Sequence, residues 1–167
     1  MKGLTLLTSK LTIALSIIRE GVWKIYGTPE IAEFLEQVPP NLQKDKLAIL
    51  ALLDRIAKES KGPRLLPDDI SHSIDEKHAI WEFIQGRLRI LWFYDKNCIV
   101  VCACGFIKKT PKTPSSEKDQ AIAIKKKYFE NIKTASQKHI RKGKKKRSPM
   151  KSSTRKPRRI PPTGPRK

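Results

Sequence analysis

The sequence has no acidic residue after Glu130, although 15 of its 36 lysines and arginines lie at residues 131–167. That segment therefore contributes +15 to the formal net charge of +20. It contains five prolines and few large apolar side chains, so it cannot bury enough surface to fold alone. We predict a disordered basic tail over residues 133–167 that attracts polyanions. A specific nucleic-acid-reading arm and a segment without a role are the alternatives.

Cysteine and long apolar runs are also scarce. The three cysteines, Cys98, Cys102 and Cys104, show neither a disulfide framework nor the C-x-x-C step of a zinc site. We expect the three cysteines to be small buried apolar residues of a protein in a reducing compartment. Cys102 and Cys104 should lie on one face of a strand, because strand side chains alternate. Residues 1–21 lack a signal-peptide cleavage pattern, and their apolar runs are too short to span a bilayer. We predict that they form an N-terminal extension, as a peripheral helix or strand.

Two helices are predicted near the start of the central segment, after a short alternating strand at residues 22–26. Thr28 is placed to cap the first helix, which ends at Pro39-Pro40 because the residue before a proline disfavours the helical conformation. Asn41 can cap the second helix, which fades near residue 61. The tight corner between the two predicts an antiparallel αα-hairpin.

The following segment is rich in aromatic and β-branched residues, which predicts an antiparallel sheet. The expected strands are residues 78–84, 87–94 and 98–107. The last two are almost continuously apolar, as is typical of central strands covered on both faces. A final helix is predicted from Glu117 to about Ile132. The predicted fold is therefore α+β: a twisted antiparallel sheet of about four strands packed on the αα-hairpin, with a C-terminal helix, over residues 22–132.

Lysines cluster where the last predicted strand ends, at Lys108, Lys109 and Lys112. Clustered cations at a strand end are suited to holding phosphate, although such lysines can also be surface charges that keep a sheet edge soluble. Adjacent strand residues point to opposite faces, so only one of Lys108 and Lys109 should face the same side as Arg89. We predict that Lys108 and Arg89 converge on one open concavity of the sheet.

Three motifs resemble the phage-associated, HigB-like branch of the RelE/ParE superfamily of toxin–antitoxin toxins. They are IWEF at residues 80–83, LRILWF at residues 88–93 and GFIKKTPKTP at residues 105–114. The resemblance covers residues 22–130 and implies a small mixed fold with a twisted antiparallel sheet packed on two helices. It also implies cleavage of messenger RNA, often on the ribosome, and inhibition by a cognate helix-turn-helix antitoxin.

One position departs from the family pattern, because the first motif commonly continues into an arginine where this chain has Ile84. Arg87, in the following turn, is the candidate replacement. Metal-independent cleavage uses the neighbouring 2′-hydroxyl as nucleophile, so the protein must stabilise charge on phosphorus and transfer protons. The resemblance and this chemistry assign catalysis to Arg89, Lys108 and Arg87. They assign RNA binding to Lys109, Lys112 and Tyr94.

The remaining expectations concern histidine and the competing functions. His72 is expected to be a solvated loop residue. His78 is a stronger candidate for a functional role because it begins a predicted strand. The leading function is a cytoplasmic type II toxin that cleaves messenger RNA, with no metal, cofactor or membrane partner. The alternatives are a non-catalytic nucleic-acid-binding protein of the same fold that uses the basic tail, and an inhibitor of gyrase as in the ParE branch.

Overall fold

The computed structural model describes residues 13–110 and 112–145, with side chains described as far as residue 135. Within those residues, six strands form one sheet in the order β1-β2-β6-β5-β4-β3. They are β1 (Ser16–Glu20), β2 (Lys24–Gly27), β3 (Ser71–Asp75), β4 (Ile80–Gln85), β5 (Leu88–Asp95) and β6 (Ile99–Ile107). β2 and β6 run parallel, whereas every other neighbouring pair is antiparallel.

The sheet contains two strands beyond the four that the sequence predicts. β1 lies within the predicted N-terminal extension and pairs with β2, so the sheet begins before residue 22. β3 lies in the polar connection after the helices and pairs with β4. Its sequence, SHSID, has too few apolar residues to show a strand period. It forms an edge of the sheet, where polar side chains remain in contact with water.

Three helices accompany the sheet: α1 (Pro29–Glu36), α2 (Gln43–Lys58) and α3 (Ser115–Lys145). Thr28 is the N-cap residue of α1 as predicted, but its hydroxyl donates to the Ala103 carbonyl at 2.7 Å instead of capping the helix. Asn41 does not cap α2, because it lies in a 3-10 turn and Leu42 precedes the helix. None of the helices in the described residues is long and apolar enough to cross a bilayer.

The last helix is longer than predicted. α3 is helical through Lys145, the last residue described, so residues 133–145 of the predicted disordered tail are helical. These residues include lysine, glutamine, alanine and arginine, which have high helix propensity, and the folded first half of α3 supplies the nucleus that an isolated helix lacks. The rest of the predicted tail, residues 146–167, lies outside the described residues.

Helices cover both faces of the sheet. α1 packs mainly against β6, α2 packs against β4 and β1, and both helices contribute to one core with Ile25, Phe83 and Trp92. α3 lies on the other face, over Leu91 and Phe93. The prediction that β5 and β6 are central strands covered on both faces is therefore confirmed, as is the α+β class. The αα-hairpin is not confirmed as a unit, because each of its helices packs mainly on the sheet.

A β-bulge in β6 separates two of the cysteines. Leu91 pairs with Cys104 and Trp92 with Cys102, so one extra residue of β6 lies between them. Cys102 belongs to the core under α1 and α2, and Cys104 to the core under α3, so the prediction that they share a face is wrong. Burial raises the pKa of each of these two thiols to about 12, whereas Cys98 is exposed.

Candidate functional site

Two of the predicted catalytic residues lie side by side at one end of the sheet. The N–H of Lys108 donates to the carbonyl of Arg87 at 2.8 Å, which extends the β5–β6 ladder by one pair. The Arg87 Nε also lies 3.4 Å from the Lys108 carbonyl and donates to it. Arg87 is exposed and Lys108 is half-buried, so both cations reach solvent. The structure therefore brings together Arg87 from the β4–β5 turn and Lys108 from the end of β6.

The β4–β5 turn that carries Arg87 is fixed by α2. Gly86 has a φ of 53°, in the left-handed region that favours glycine. The N–H of Arg87 donates to an Asp45 carboxylate oxygen at 3.1 Å. A side chain at residue 86 would collide with that same carboxylate. The turn therefore depends on an acidic side chain from the first turn of α2 and on a glycine that leaves room for it.

Arg89 occupies a different environment from the one predicted. The residue is only 8% exposed, and its Nη1 donates to the carbonyls of Gly86 and Leu88, both at 2.8 Å. Its Nε lies 3.5 Å from a Glu82 carboxylate oxygen. Burial lowers the pKa of Arg89, and the negative charge of Glu82 opposes that shift. The prediction of an open guanidinium is wrong, because Arg89 points back over its own turn and pairs with a buried acid.

Glu82 is the residue that joins these groups, and sequence reasoning gave it no role. It has no exposed surface, and its Oε1 accepts a hydrogen bond from the Thr113 hydroxyl at 3.1 Å. Its Oε2 faces Arg89 and also lies 3.8 Å from the His72 Nε2. Side chains from β3, β5 and the segment after β6 thus meet at one carboxylate. The signal in the sequence was a single charged residue in the apolar run of residues 80–84, within β4.

The two histidines are placed differently from the predictions. His72 lies in β3 rather than in a loop, its side chain is 40% exposed, and its Nδ1 is 3.0 Å from the Asp68 carbonyl. His78 precedes β4, which begins at Ile80, and its Nδ1 lies 3.1 Å from Asp75 Oδ1. Hydrogen bonds from the His78 backbone and ring lower the pKa of Asp75. His72, rather than His78, is therefore the histidine beside Arg89 and Glu82.

The lysines after β6 form a loop whose ammonium groups are unpaired. We call residues 108–110 and 112–114 the lysine loop; Lys109 and Lys112 are exposed. Within the described residues, no hydrogen bond or ion pair engages the side-chain nitrogen of these lysines or of Lys108. Thr113 ties the far side of the loop to Glu82, and the Thr110 hydroxyl donates to the Lys112 carbonyl at 3.1 Å. The loop is anchored at Thr113 while its cations remain available.

Tyr94 does not join this cluster. It pairs with Val100 near the far end of β5, about 17 Å along the strand from Arg89 at 3.4 Å per residue. Its ring packs in the core on the α1 and α2 side, 4.6 Å from the ring of Trp92, whereas Arg89 lies on the α3 side. Burial raises the pKa of Tyr94, and Arg64 opposes that shift. An RNA-binding role for Tyr94 stays a prediction that this geometry does not favour.

The cluster is thus a cationic site with one buried acid. Arg87 and the three lysines supply positive charge at the surface, and Glu82, Arg89 and His72 lie behind them. Such an arrangement can hold phosphate oxygens and offers an imidazole for proton transfer. Among residues 13–110 and 112–135, no group of three or more His, Cys, Asp or Glu side chains is placed to hold a metal ion.

Three comparisons with known proteins test the predicted resemblance. Residues 33–126 match the family described as phage derived protein Gp49-like (DUF891), which is more than half of the chain. Among solved structures, the chain is similar to the RelBE2 toxin–antitoxin complex from Mycobacterium tuberculosis, with 17% identity and a TM-score of 0.34. That similarity covers 50% of this chain and 95% of the other. No curated protein matches the chain significantly. The chain belongs to the phage-derived Gp49-like family, a family of RelE-like toxins, and the predicted resemblance is confirmed.

Proposed function

We propose that this protein is the toxin of a type II toxin–antitoxin system and that it inhibits translation by cleaving messenger RNA in the cytoplasm. The cleavage is metal-independent and requires no cofactor. Family membership supports the toxin assignment. The observation that carries the nuclease proposal is the pairing of Arg87 and Lys108 beside the unpaired ammonium groups of Lys109 and Lys112.

The proposed reaction is a transesterification. The ribose 2′-oxygen forms a bond to phosphorus, and the bond from phosphorus to the 5′-oxygen breaks. A base accepts the 2′-hydroxyl proton, and an acid gives a proton to the leaving 5′-oxygen. The products are a 2′,3′-cyclic phosphate and a 5′-hydroxyl. Extra negative charge develops on the phosphate oxygens, so cations that are already fixed in place lower the barrier.

Arg87 and Lys108 are the proposed contacts to the scissile phosphate. The guanidinium of Arg87 retains free N–H groups after its one bond to the Lys108 carbonyl, and arginine donates to phosphate in a bidentate manner. Lys109 and Lys112 bind the flanking phosphates as point charges. His72 is the proposed proton-transfer group, because its Nδ1 is held by the Asp68 carbonyl, leaving Nε2 beside Glu82 and Arg89.

Arg89 acts in this proposal through the turn that it holds. Its two hydrogen bonds go to the carbonyls of residues 86 and 88, which flank Arg87 on either side. Loss of Arg89 would release both carbonyls and leave Glu82 without its cation. We therefore propose that Arg89 positions Arg87 and is itself shielded from the RNA. This role replaces direct phosphate contact as the reason for expecting Arg89 to be essential.

The test is cleavage of messenger RNA by the full-length protein, with and without ribosomes, and mapping of the new 5′ ends. Arg87→Ala and Lys108→Ala should each abolish or strongly reduce those ends. Arg55→Ala and Lys44→Ala are the matched controls, because both residues are exposed on α2. Cleavage that survives in both site variants would refute the proposed site, and no cleavage by the unmodified protein under either condition would refute the nuclease function.

The proposed partner is a cognate helix-turn-helix antitoxin. Co-expression with a neighbouring gene of that type should restore the growth that expression of this protein alone suppresses. Purification of the two chains together should give a stable complex that does not cleave RNA. Growth arrest that persists with the neighbouring gene would contradict this partner assignment, while leaving the cleavage reaction to be judged separately.

The second candidate is a nucleic-acid-binding protein of the same fold without catalysis, which uses its basic tail. Two observations favour it: Ile84 stands where the family motif commonly has arginine, and it pairs with Arg89, whose guanidinium is buried. This candidate predicts RNA binding that falls steeply with salt and no new RNA ends. Removal of residues 146–167 should then abolish binding, whereas a nuclease would still cut a short substrate.

A further inference from the structure

The second half of α3 is rich in lysine and arginine and lies apart from the candidate site. Side chains of α3 are buried or half-buried at intervals as far as Asn131, and residues 132–135 are exposed. The helix then continues to Lys145, about 21 Å beyond Asn131 at 1.5 Å per residue. Residues 132–145 contain six lysines and arginines and no acidic residue. This part of α3 also lies beyond residues 33–126, which the family model covers.

A groove lies where α3 passes the turn between β3 and β4. It has a volume of about 280 Å³ and is lined by His78, Ile122, Lys125, Lys126, Phe129, Glu130 and Lys133. Lys125 is already engaged, because its Nζ donates to the carbonyls of His78 and Ala79 and lies 5.5 Å from the centre of the Phe93 ring. Burial lowers the pKa of the Lys125 ammonium.

Two other lysines of the groove are available to a ligand. Lys126 and Lys133 are exposed, and neither makes a hydrogen bond or an ion pair within the described side chains. They are seven residues apart, which places them on the same side of α3. Glu130 is the single acidic residue of the lining and lies between them in sequence. The groove therefore leads, along one side of a helix, into a segment whose charges are all positive.

We propose that Lys126 and Lys133, on one side of α3, form a second RNA-binding surface that holds the phosphate backbone. This inference rests on the proposed RNA substrate but not on its cleavage. We call it the distal α3 surface. The groove adjoins the start of β4, whereas Arg87 follows the end of β4, about 20 Å away at 3.4 Å per residue. An RNA must extend over this distance to contact both places.

The test compares two charge reversals of equal size in the full-length protein. Lys126→Glu/Lys133→Glu alters the distal α3 surface, and Lys44→Glu/Lys61→Glu alters exposed lysines on and after α2, on the other side of the sheet. Fluorescence anisotropy measures binding of a labelled RNA of about 30 nucleotides and of a labelled dinucleotide, which is too short to contact both places, from low to high salt. Circular dichroism confirms that each variant is folded.

For the longer RNA, the Lys126→Glu/Lys133→Glu variant should reduce the slope of log K against log salt by about 1.4. This value corresponds to the loss of two phosphate contacts at about 0.7 each. The control pair should leave that slope unchanged, and binding of the shorter RNA should be similar in both variants. Equal losses in the two variants would refute the proposal, because net charge alone would then explain them. If the distal pair fails to fold, Lys126→Gln/Lys133→Gln should give the same change in slope.

Binding to other polyanions tests whether the ligand of this surface is RNA. Tighter binding to a single-stranded DNA of the same length, or to vesicles of anionic lipid, would overturn the assignment of this surface to RNA. Failure of the nuclease proposal would appear differently, as RNA binding with the predicted difference in slope but no new RNA ends. A nuclease without a distal surface would cleave the longer RNA equally well in the distal and control variants at every salt concentration.

Discussion

Replacing Glu82 by glutamine should destabilise the fold far more than its single-atom change suggests. Glu82 is fully buried, and Arg89, 8% exposed, lies 3.5 Å from its carboxylate. Glutamine keeps an oxygen for the Thr113 hydroxyl but removes the negative charge, so the Arg89 guanidinium remains buried without a counter-ion. Breaking a buried ion pair from one side costs about 3–5 kcal/mol.

The structure places this cost at the lower end of that range. Arg89 keeps its two hydrogen bonds to the carbonyls of Gly86 and Leu88, which offset part of the lost charge interaction. We expect a loss of about 3 kcal/mol in the free energy of unfolding, since charge-assisted hydrogen bonds retain about 1.5–3 kcal/mol each. For a domain of this size, the midpoint of thermal unfolding should fall by roughly 10 °C.

Urea unfolding followed by circular dichroism measures this change directly. Glu36→Gln is the matched control, because Glu36 is an exposed acid at the end of α1 and should change stability by less than about 0.5 kcal/mol. A double-mutant cycle with Arg89→Met should show a coupling of about 1–3 kcal/mol between the two side chains. A Glu82→Gln variant as stable as the Glu36→Gln control would refute the idea that this ion pair holds the site together.

Three further predictions concern the site and the cysteines. Thr113→Val should reduce the free energy of unfolding by about 1 kcal/mol and lower RNA affinity, because it frees the lysine loop from Glu82. Thr110→Val, in the same loop, is the control and should have smaller effects on stability and on affinity. Urea unfolding measures the stability, and fluorescence anisotropy measures the affinity. Gly86→Ala should destabilise the protein by more than about 1 kcal/mol in urea unfolding, because its φ is 53° and the new methyl group meets a carboxylate. In the native protein, a thiol reagent should modify only Cys98 between about pH 7 and 9. Burial raises the pKa of the Cys102 and Cys104 thiols to about 12, so those thiols stay protonated. Mass spectrometry counts the modified thiols, and two or three per chain would contradict this prediction.

Sequence reasoning predicted the strands and turns whose burial produces a recognisable pattern in neighbouring residues. β5 and β6 are apolar on both faces, so a short run of residues was enough to show that they are central. The β4–β5 turn was predictable for a similar reason, since a glycine interrupts two strand-like runs. The sequence allowed a short strand in the polar connection of residues 64–78 but did not locate β3, because an edge strand with water on several of its side chains shows no apolar period.

The site could be predicted in part only, because its chemistry depends on register. Lys108 meets Arg87, and not Arg89 as predicted, because β5 and β6 pair without a shift at that end. The environment of Arg89 depends on which residue of β4 shares its face, and on a threonine 31 residues beyond Glu82. No periodic pattern in the sequence shows that these distant side chains are in contact. A lone acid within an apolar strand was the available signal, since buried charges need partners.

The burial of Arg89 and the exposure of Arg87 are two consequences of one arrangement. Arg87 is held on three sides: Asp45 accepts its N–H, Lys108 donates to its carbonyl, and Arg89 binds the two carbonyls that flank it. These contacts fix the backbone of Arg87, and the hydrogen bond from its Nε to the Lys108 carbonyl directs its guanidinium. A cation that is positioned before substrate arrives loses less conformational freedom on binding phosphate, which favours electrostatic stabilisation. A chain with isoleucine at the family's arginine position can therefore still present a guanidinium at the sheet end, provided that a buried arginine and its acid fix the turn beneath it.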